Sequence, residues 1–393
     1  MKSPRRAGAP RQRSDSRPLP SPAILSPVAP TGQPLGVVPR PVGYRMIESI
    51  EIKNFRCFES LSLKGLARIN LLVGKNGSGK TAILESVFLG GGRSPEIVFR
   101  IRMWRGYETL QISSDREKYE SVWRDLFYKF DQNRVAEISI VSSENKSRSV
   151  KISYNKSQAV TLPPGIQAAN QFIANPIVFE YNNQDKKVFR LPVQFTPQGM
   201  VVGQAPIPGI NMAFFASQQP IPVTQFTQQF SELSKAKRQG EIVEGLRSQF
   251  PFIEDLSVEV DAGVSSIYAS VKTLPQKIPL SLLSSGINRL VCILIALIYT
   301  PKGAVVIDEI ENGFYYETMG TVWKLISEFA SKYDSQVFAS THSLECLQAA
   351  AKTLKPEDFT LIQTSRSNGG ASAMIAQGSD AAAAIQQDVE VRR

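Results

Sequence analysis

Short apolar runs alternate with segments of helical spacing in the C-terminal half of the chain. The runs Ile69–Val73, Ala304–Ile307 and Val337–Ala339 are almost entirely apolar, as expected of strands that are buried on both faces. Leu290–Tyr299 is apolar over ten residues and is predicted to be a buried helix. From 280 to 363 helix and strand alternate in a βαβ manner, so we expect an α/β fold with a mostly parallel core sheet.

The N-terminal half is predicted to add β structure to this core. Met46–Ile52 is predicted to be a strand. Together with the following segment Leu61–Leu63 it predicts a hairpin-like β arm. Residues 95–205 contain short alternating segments joined by Asn, Gln, Ser and Pro, and predict a β-rich lobe inserted into the core. Residues 212–217 are predicted to return to a buried core strand.

The remaining segments carry weaker patterns. Phe226–Phe250 has helical spacing and predicts one helix of about 25 residues without sustained heptads. Ile253–Val260 and Ser266–Val271 are predicted to pair as two strands. The segment 365–393 is rich in Gly, Ser and Ala and is predicted to be a flexible tail, so the folded domain is expected to span 46–364.

Composition divides the chain into a basic extension and a nearly neutral body. The chain has 393 residues, 42% of them hydrophobic, and a net charge of +10. Residues 1–45 hold eight Lys/Arg, one acidic residue and ten of the 25 prolines, and we expect them to be disordered or to be an upstream extension before Met46. The remaining 348 residues have 37 basic and 34 acidic side chains, a net +3, which gives no strong electrostatic footprint for nucleic acid.

The number of cysteines and the length of the longest apolar stretch indicate in which cellular compartment the protein is expected. Cys57, Cys292 and Cys346 are far apart and odd in number, which supports neither a disulfide framework nor a zinc site. The longest apolar stretch, ten residues, is about half a membrane span. We therefore expect a cytoplasmic protein without a membrane partner.

The most informative motif follows the first apolar run. Residues 74–81 match G-x-x-x-x-G-K-[ST], between a strand and a predicted helix. Such a loop binds phosphate through backbone N–H groups and the helix N-terminus. Lys80 is expected to reach the β- and γ-phosphates and Thr81 to ligate Mg²⁺. The alternative is a glycine-rich turn without a ligand. The predicted nucleotide-binding residues are Gly74, Lys75, Asn76, Gly77, Ser78, Gly79, Lys80 and Thr81.

Two further strands end in side chains that suit phosphate chemistry. Asp308 and Glu309 follow Ala304–Ile307, at the strand end where open α/β sheets bind ligands. We expect Asp308 to hold Mg²⁺ and Glu309 to activate water. The alternative is a strand that ends in a solvated turn. His342, the single histidine of the chain, ends the next apolar strand, although a lone histidine is more often structural.

A third feature precedes the apolar helix. Ser284, Ser285 and Gly286 form a turn before Leu290–Tyr299, and could offer hydroxyl and backbone donors to an anion. The alternative is a helix cap, with Ser284 or Ser285 at the N-cap position.

Together these motifs resemble the ABC-type ATPases of the RecF/SMC/OLD branch, over residues 46–364. The chain is similar above all to stand-alone ATP-binding proteins of bacterial phage-defence operons. The turn Leu283–Gly286 resembles the Leu-Ser-Gly-Gly-Gln signature, but Ser285 replaces a glycine and Ile287 the glutamine. The matching segments are Ile52–Arg56, Gly74–Thr81, Leu283–Gly286, Asp308–Gly313 and Thr341–Ser343.

The resemblance implies a P-loop NTPase head and a set of roles. Lys80, Glu309 and His342 would be catalytic, and Arg56 would approach the nucleotide. Gln218 would be the further Mg²⁺ ligand, with Gln219 as the alternative. Two chains would pair around Mg·ATP, each contributing its signature turn to the other.

The functional expectation is an ATPase that gates a separate nuclease or toxin in phage defence. One alternative is an ATP-held scaffold with negligible turnover. Others are a transporter subunit and a RecF- or SMC-like DNA-repair protein with possible nucleic-acid binding. The Asn-Phe-Arg arm and the altered signature argue against the transporter, and the body charge of +3 argues against a DNA clamp.

Overall fold

A computed structural model describes residues 46–107, 116–143, 146–155, 176–185, 187–196, 199–217, 223–367 and 370–386. The expectations for residues 1–45, Gln218 and Gln219 lie outside these ranges. The strands are β1 (Ile47–Phe55), β2 (Phe58–Lys64), β3 (Ile69–Val73), β4 (Ala136–Ser142), β5 (Ser147–Tyr154), β6 (Ile177–Asn183), β7 (Val188–Pro192), β8 (Gln194–Thr196), β9 (Gly199–Val201), β10 (Met212–Phe215), β11 (Ile253–Asp261), β12 (Val264–Val271), β13 (Ile278–Pro279), β14 (Ala304–Ile307), β15 (Gln336–Ser340), β16 (Phe359–Ser367) and β17 (Gly370–Gln377). The helices are α1 (Lys80–Gly91), α2 (Glu96–Trp104), α3 (Arg116–Arg124), α4 (Val223–Lys235), α5 (Gly240–Gln249), α6 (Leu280–Leu283), α7 (Ser285–Tyr299), α8 (Met319–Lys332), α9 (Leu344–Thr353) and α10 (Gly378–Gln386).

The core sheet has the strand order β10-β14-β15-β3-β16-β17. All of its pairs are parallel except β16 with β17. The predicted strands at Ile69–Val73, Ala304–Ile307 and 212–217 are therefore confirmed, and so is the parallel α/β core. Parallel pairing brings the carboxyl ends of β3, β14 and β15 to one edge of the sheet.

The core sheet is buried on both faces by different partners. Successive side chains of a strand point to opposite faces. Leu71, Val305 and Val337 accordingly join a hydrophobic cluster built with the helices α4, α5, α7 and α8. Leu72 and Val306, one residue further along, join a second cluster with α1 and the strands of the N-terminal arm. This double burial explains why these strands are continuous apolar runs rather than alternating ones.

The second sheet has the order β2-β1-β4-β5-β6-β7, and its pairs are antiparallel. The predicted arm is its β1–β2 hairpin. Of the predicted insertion at 95–205, strands β4 to β7 extend the arm sheet, because β4 pairs directly with β1. Strands β8 and β9 pair with each other as a separate two-stranded sheet. Helix α1 packs between this sheet and the core sheet, with Gly90 close enough to β4 that a Cβ there would lie 2.8 Å from Ile138.

The segment predicted as one helix over Phe226–Phe250 is two helices. Helix α4 ends at Lys235 and α5 begins at Gly240. Between them, Lys237 adopts a left-handed φ of 57°, which breaks the helix. The predicted pairing of Ile253–Val260 with Ser266–Val271 is confirmed as β11 and β12, which form a small antiparallel sheet with β13. Among the described residues, none of the helices combines the length and hydropathy needed to cross a bilayer.

Residues 365–367 and 370–386 correct the expectation of a flexible tail; residues 387–393 lie outside the described ranges. We predicted a flexible tail from Ser365, but β16 continues to Ser367, and β17 and α10 follow. Strand β17 pairs antiparallel with β16 along its whole length. Ala381 and Ile385 of α10 are buried against the core. Small residues permit this close packing, so a Gly/Ser/Ala-rich composition was a poor guide to disorder here.

One buried side chain ties the two sheets together. Gln336, at the start of β15, is 1% exposed. Its Oε1 accepts from the Ile47 backbone N–H at 2.8 Å, and its Nε2 donates to the carbonyls of Ile47 at 2.9 Å and Ala67 at 2.7 Å. From a strand of the core sheet, the side chain therefore satisfies two backbone groups of β1 and one of the connection between β2 and β3.

Replacing Gln336 with leucine should destabilise the fold. A buried backbone group without a partner costs about 1–3 kcal/mol, so Gln336→Leu should lower the free energy of unfolding by about 3 kcal/mol or more. Urea unfolding followed by far-UV circular dichroism measures this. The matched control is Gln276→Leu, at an exposed position. Equal stability of the two variants would contradict the role of Gln336.

Candidate functional site

The glycine loop Gly74–Thr81 joins β3 to α1 at the carboxyl edge of the core sheet. Gly79 has φ +112°, and a Cβ there would lie 2.5 Å from Cζ of Phe58. Gly77 has φ +75°, and a Cβ there would meet no atom within 4 Å. The first N–H groups of a helix have no partners within the helix. A tightly packed loop that presents such groups to open space fits a bound phosphate.

The lysine of the loop is buried and faces its own backbone. Lys80 is 6% exposed, and its Nζ donates to the carbonyls of Gly74 at 2.6 Å and Lys75 at 3.1 Å. Burial lowers the pKa of Lys80, and nearby carboxylates, first among them Asp308, oppose this shift. An anion bound by the loop would likewise favour the charged ammonium.

The structure brings the two predicted metal ligands together. Thr81 Oγ1 lies 3.2 Å from Asp308 Oδ2, across the loop from the end of β14. The other carboxylate oxygen, Asp308 Oδ1, accepts from Ser340 Oγ at 2.5 Å. A hydroxyl and a carboxylate are oxygen ligands of the kind that Mg²⁺ takes in phosphate-binding sites, so these residues fit that ion. Gln218, predicted as a further ligand, lies outside the described residues.

Glu309 and His342 meet at the same edge. Glu309 has a left-handed φ of 51°, and its backbone N–H donates to Ser340 Oγ at 2.8 Å. Asn312 Nδ2 donates to Glu309 Oε2 at 3.0 Å, and His342 Nε2 lies 3.5 Å from Glu309 Oε1. The His342 backbone N–H donates to Glu311 Oε1 at 2.6 Å. These contacts hold the Glu309 carboxylate beside the imidazole of His342.

The signature-like turn is a helix cap that contacts the segment after Glu309. Ser284 is the N-cap of α7, and its Oγ accepts from the Ile287 N–H at 3.3 Å. Gly286 packs against Gly313, because a Cβ on Gly286 would lie 2.3 Å from the Gly313 carbonyl oxygen. Ser285 is exposed. Ser284 is therefore a helix cap, which was the alternative interpretation of this turn. The exposed face of the turn is still free to contact an anion.

The same helix holds the backbone at the end of β14. Arg289, on the first turns of α7, is 7% exposed. Its Nη2 donates to the carbonyl of Asp308 at 3.1 Å and lies 3.4 Å from that of Glu309. Burial lowers the pKa of Arg289, and the nearby carboxylates oppose this. No role of Arg289 was predicted from the sequence, although a charged residue at the start of an apolar helix was a visible signal.

Arg56 lies in a network of charges beside the loop. Its Nε lies 2.5 Å from Glu85 Oε2 and its Nη1 2.8 Å from Asp125 Oδ2. Glu85 is 1% exposed and also pairs with Arg105 at 2.6 Å, and Asp125 also pairs with Arg102. Sequence reasoning missed these partners. Glu85 was the one available signal, since it is a carboxylate within the apolar helix α1.

A cavity of about 680 Å³ extends from the loop to these groups. Two segments without a predicted role line it: the turn Tyr128–Phe130 and the residues Arg366 and Gly370 of the β16–β17 hairpin. Arg366 Nη1 lies 3.3 Å from the Gly77 carbonyl oxygen. The other lining residues are Arg56, Cys57, Asn76, Gly77, Gly79, Lys80, Thr81, Ala82, Arg105, Asp125, Phe127, Glu309, His342 and Ser367.

A phosphate loop after β3, acidic residues after β14 and a histidine after β15 define the class of an ABC-type P-loop ATPase head. The chain belongs to the RecF/RecN/SMC N-terminal domain family, whose model matches residues 46–358. This confirms the α/β P-loop fold and the RecF/SMC part of the predicted resemblance.

Individual relatives are more distant. The chain is 22% identical over 340 residues to an ATP/GTP phosphatase of Helicobacter pylori, over 80% of this chain and 90% of that one. It is 46% identical over 43 residues to the DNA replication and repair protein RecF of Clostridioides difficile, over only 11% of this chain and 12% of that one. A solved SMC head bound to the C-winged helix domain of ScpA is 14% identical, over 85% of this chain and 99% of that one, with a TM-score of 0.45.

The contact between Gly286 and Gly313 can be tested by adding one methyl group. Alanine favours helices over glycine by about 1 kcal/mol, so propensity alone would make Gly286→Ala stabilising. The collision with the Gly313 carbonyl should instead lower the free energy of unfolding by about 1–3 kcal/mol. Urea unfolding measures this, with Ser285→Ala as the exposed neighbouring control. A gain in stability for Gly286→Ala would show that the turn does not pack as described.

Proposed function

We propose that this protein binds Mg·ATP at the loop Gly74–Thr81 and hydrolyses it slowly. The observation that carries the proposal is the convergence of Lys80, the Thr81–Asp308 pair and the Glu309–His342 pair at one sheet edge. The name of the Helicobacter pylori relative, an ATP/GTP phosphatase, supports hydrolysis of a nucleoside triphosphate.

Each residue has a distinct role in this proposal. Lys80 exchanges its backbone carbonyls for oxygens of the β- and γ-phosphates. Thr81 and Asp308 hold Mg²⁺, with Gln218 as a further ligand. When bound there, Mg²⁺ supplies positive charge to the phosphate oxygens. Glu309 orients water and accepts its proton, and His342 contacts the γ-phosphate. Positioning and electrostatics account for most of the rate enhancement in such transfer.

Glu309→Gln should separate binding from hydrolysis. The amide keeps the shape of the side chain but cannot accept the proton, so steady-state phosphate release should fall by about a hundredfold or more. ATP affinity, measured by isothermal titration calorimetry, should change little. Glu317→Gln, at an exposed position, is the matched control. If wild type releases phosphate no faster than Glu309→Gln, the protein is an ATP-held scaffold, the second candidate function.

We further propose that ATP brings two copies together, each signature turn covering the nucleotide of the other chain. The support is geometric: Ser285 is exposed, and Ser284–Gly286 are not among the described residues that line the cavity at Lys80. The turn therefore lies outside the lining of the cavity at Lys80 of its own chain. Its backbone and hydroxyl donors at a helix N-terminus suit a γ-phosphate.

Ser285→Arg tests the pairing without removing the Ser284 cap. The Glu309→Gln protein with an unaltered turn should become a dimer when ATP is added, as measured by sedimentation velocity. The dimer persists because this variant does not hydrolyse the ATP that holds it together. The bulky arginine should raise the dimer dissociation constant at least tenfold, while ATP binding by the monomer persists. The control is Ser331→Arg, at an exposed position on α8. ATP-driven dimers of undiminished affinity with Ser285→Arg would refute the proposed interface.

The output of the cycle is proposed to be the gating of a separate nuclease or toxin in phage defence. In this proposal ATP binding closes the dimer and hydrolysis opens it. Cleavage of a target is left to the separate effector protein. A RecF- or SMC-like role in DNA repair is the alternative, and the name of the RecF relative favours it. Copurification from the native operon distinguishes them: a bound effector protein supports gating, and bound DNA without one supports the alternative.

A further inference from the structure

The turn Tyr128–Phe130 has an unusual backbone for its residue types. Lys129 and Phe130 have φ values of +52° and +60°, so two successive residues with side chains adopt the left-handed conformation. This conformation is disfavoured for residues with a Cβ and is kept only where the surroundings impose it. Strained positions of this kind cluster at ligand sites.

The contacts of the turn show what imposes this conformation. The Phe130 N–H donates to the Phe127 carbonyl at 3.0 Å, and Phe127 forms a β-bridge with Phe55 of β1. The Arg56 N–H donates to the Leu126 carbonyl at 3.1 Å. The turn is therefore attached to the end of the β1–β2 hairpin, across the cavity from the loop Gly74–Thr81.

The result of this geometry is an exposed aromatic ring at the cavity wall. Phe130 is 57% exposed, although hydrophobic burial would favour the interior. The Arg124 guanidinium lies over the ring at 5.2 Å from its centroid and covers one face. Tyr128 beside it is 4% exposed, and its hydroxyl oxygen would lie 3.4 Å from a Cβ on Gly370, so the turn and the β16–β17 hairpin meet.

The cavity is continuous from the phosphate loop to this ring. Thr81 and Phe130 line the same space, of about 680 Å³. That volume is within the range of small-molecule sites, about 300–1,000 Å³. Cations also border it at Lys129 and Arg366. A ligand whose phosphates lie in the loop would extend its remaining part toward the turn.

We propose that the turn Tyr128–Phe130 holds the nucleoside of the bound triphosphate, with the base stacked on the ring of Phe130. The inference rests on the proposed function and adds the part of the ligand beyond its phosphates. Every base has a π face, and stacking on an aromatic side chain does not require a particular base. The turn therefore takes ATP and GTP alike.

The test compares a nucleotide with a ligand that has no base. Phe130→Ala should weaken ATP and GTP binding by about tenfold or more, as loss of base stacking does. Its affinity for inorganic tripolyphosphate with Mg²⁺ should equal that of wild type. Phe130→Trp, which keeps a stacking surface, should restore nucleotide affinity. Phe252→Ala, an exposed phenylalanine outside the cavity lining, is the matched control.

The outcomes distinguish this inference from the proposed function. Unchanged ATP affinity in Phe130→Ala, or equal weakening of ATP and tripolyphosphate, would overturn the nucleoside role. Failure of Phe130→Trp to restore binding would do the same. Lys80→Ala is the reference for the loop and should weaken both ligands. If wild type binds neither ligand, the proposed function fails before the turn is tested.

Discussion

The register of three parallel strands is the constraint on which the site depends. Ile307 of β14 pairs with Ala339 of β15, and Ser340 pairs with Leu72 of β3. The three strands therefore end at the same edge of the sheet. The phosphate loop, Asp308 and Thr341 follow directly after them and lie side by side there. Ser340 uses this alignment, because its hydroxyl donates to the Asp308 carboxylate and accepts from the Glu309 N–H. A shift of one residue would turn this hydroxyl to the other face of the sheet.

The signature-like turn is joined to the end of strand β14 in its own chain. Arg289 holds the carbonyls that follow β14, and Gly286 packs on Gly313 just beyond them. A buried guanidinium is costly to leave without acceptors, so α7 and the end of β14 are held as one unit. The exposed serine of the turn and the Glu309 backbone thus share one rigid support.

Charge is arranged around the loop in two ways. Close to it, Lys80 faces carbonyl oxygens and is near Asp308 and Glu309. Further from the loop, two carboxylates form ion pairs with three arginines. Glu85 pairs with Arg56 and Arg105, and Asp125 pairs with Arg56 and Arg102. The pairs hold the guanidinium groups of Arg56 and Arg105 in fixed positions at the cavity wall. The excess of cation over carboxylate in this network favours a polyphosphate in the cavity.

Much of the fold and of the candidate site could be predicted from short stretches of sequence. The loop 74–81, Asp308, Glu309 and His342 each come directly after a buried apolar run, and the periodicity that marks a strand is local. Two features could not be predicted from local periodicity: the break between α4 and α5, and the helix α10. Each depends on a backbone angle or on small residues packing against distant ones.

The partners of Arg56, the grip of Arg289 on β14 and the strained turn at Lys129 and Phe130 were decided by tertiary structure alone. Their contacts join residues far apart in the sequence: Arg289 and Asp308 are 19 positions apart, and Arg56 and Asp125 are 69 positions apart. Nothing in the local pattern specifies such pairs, because an ion pair or a hydrogen bond depends on distance in space. The chain thus encodes the chemistry of its loop and strand ends locally, and the shape around them only through folding.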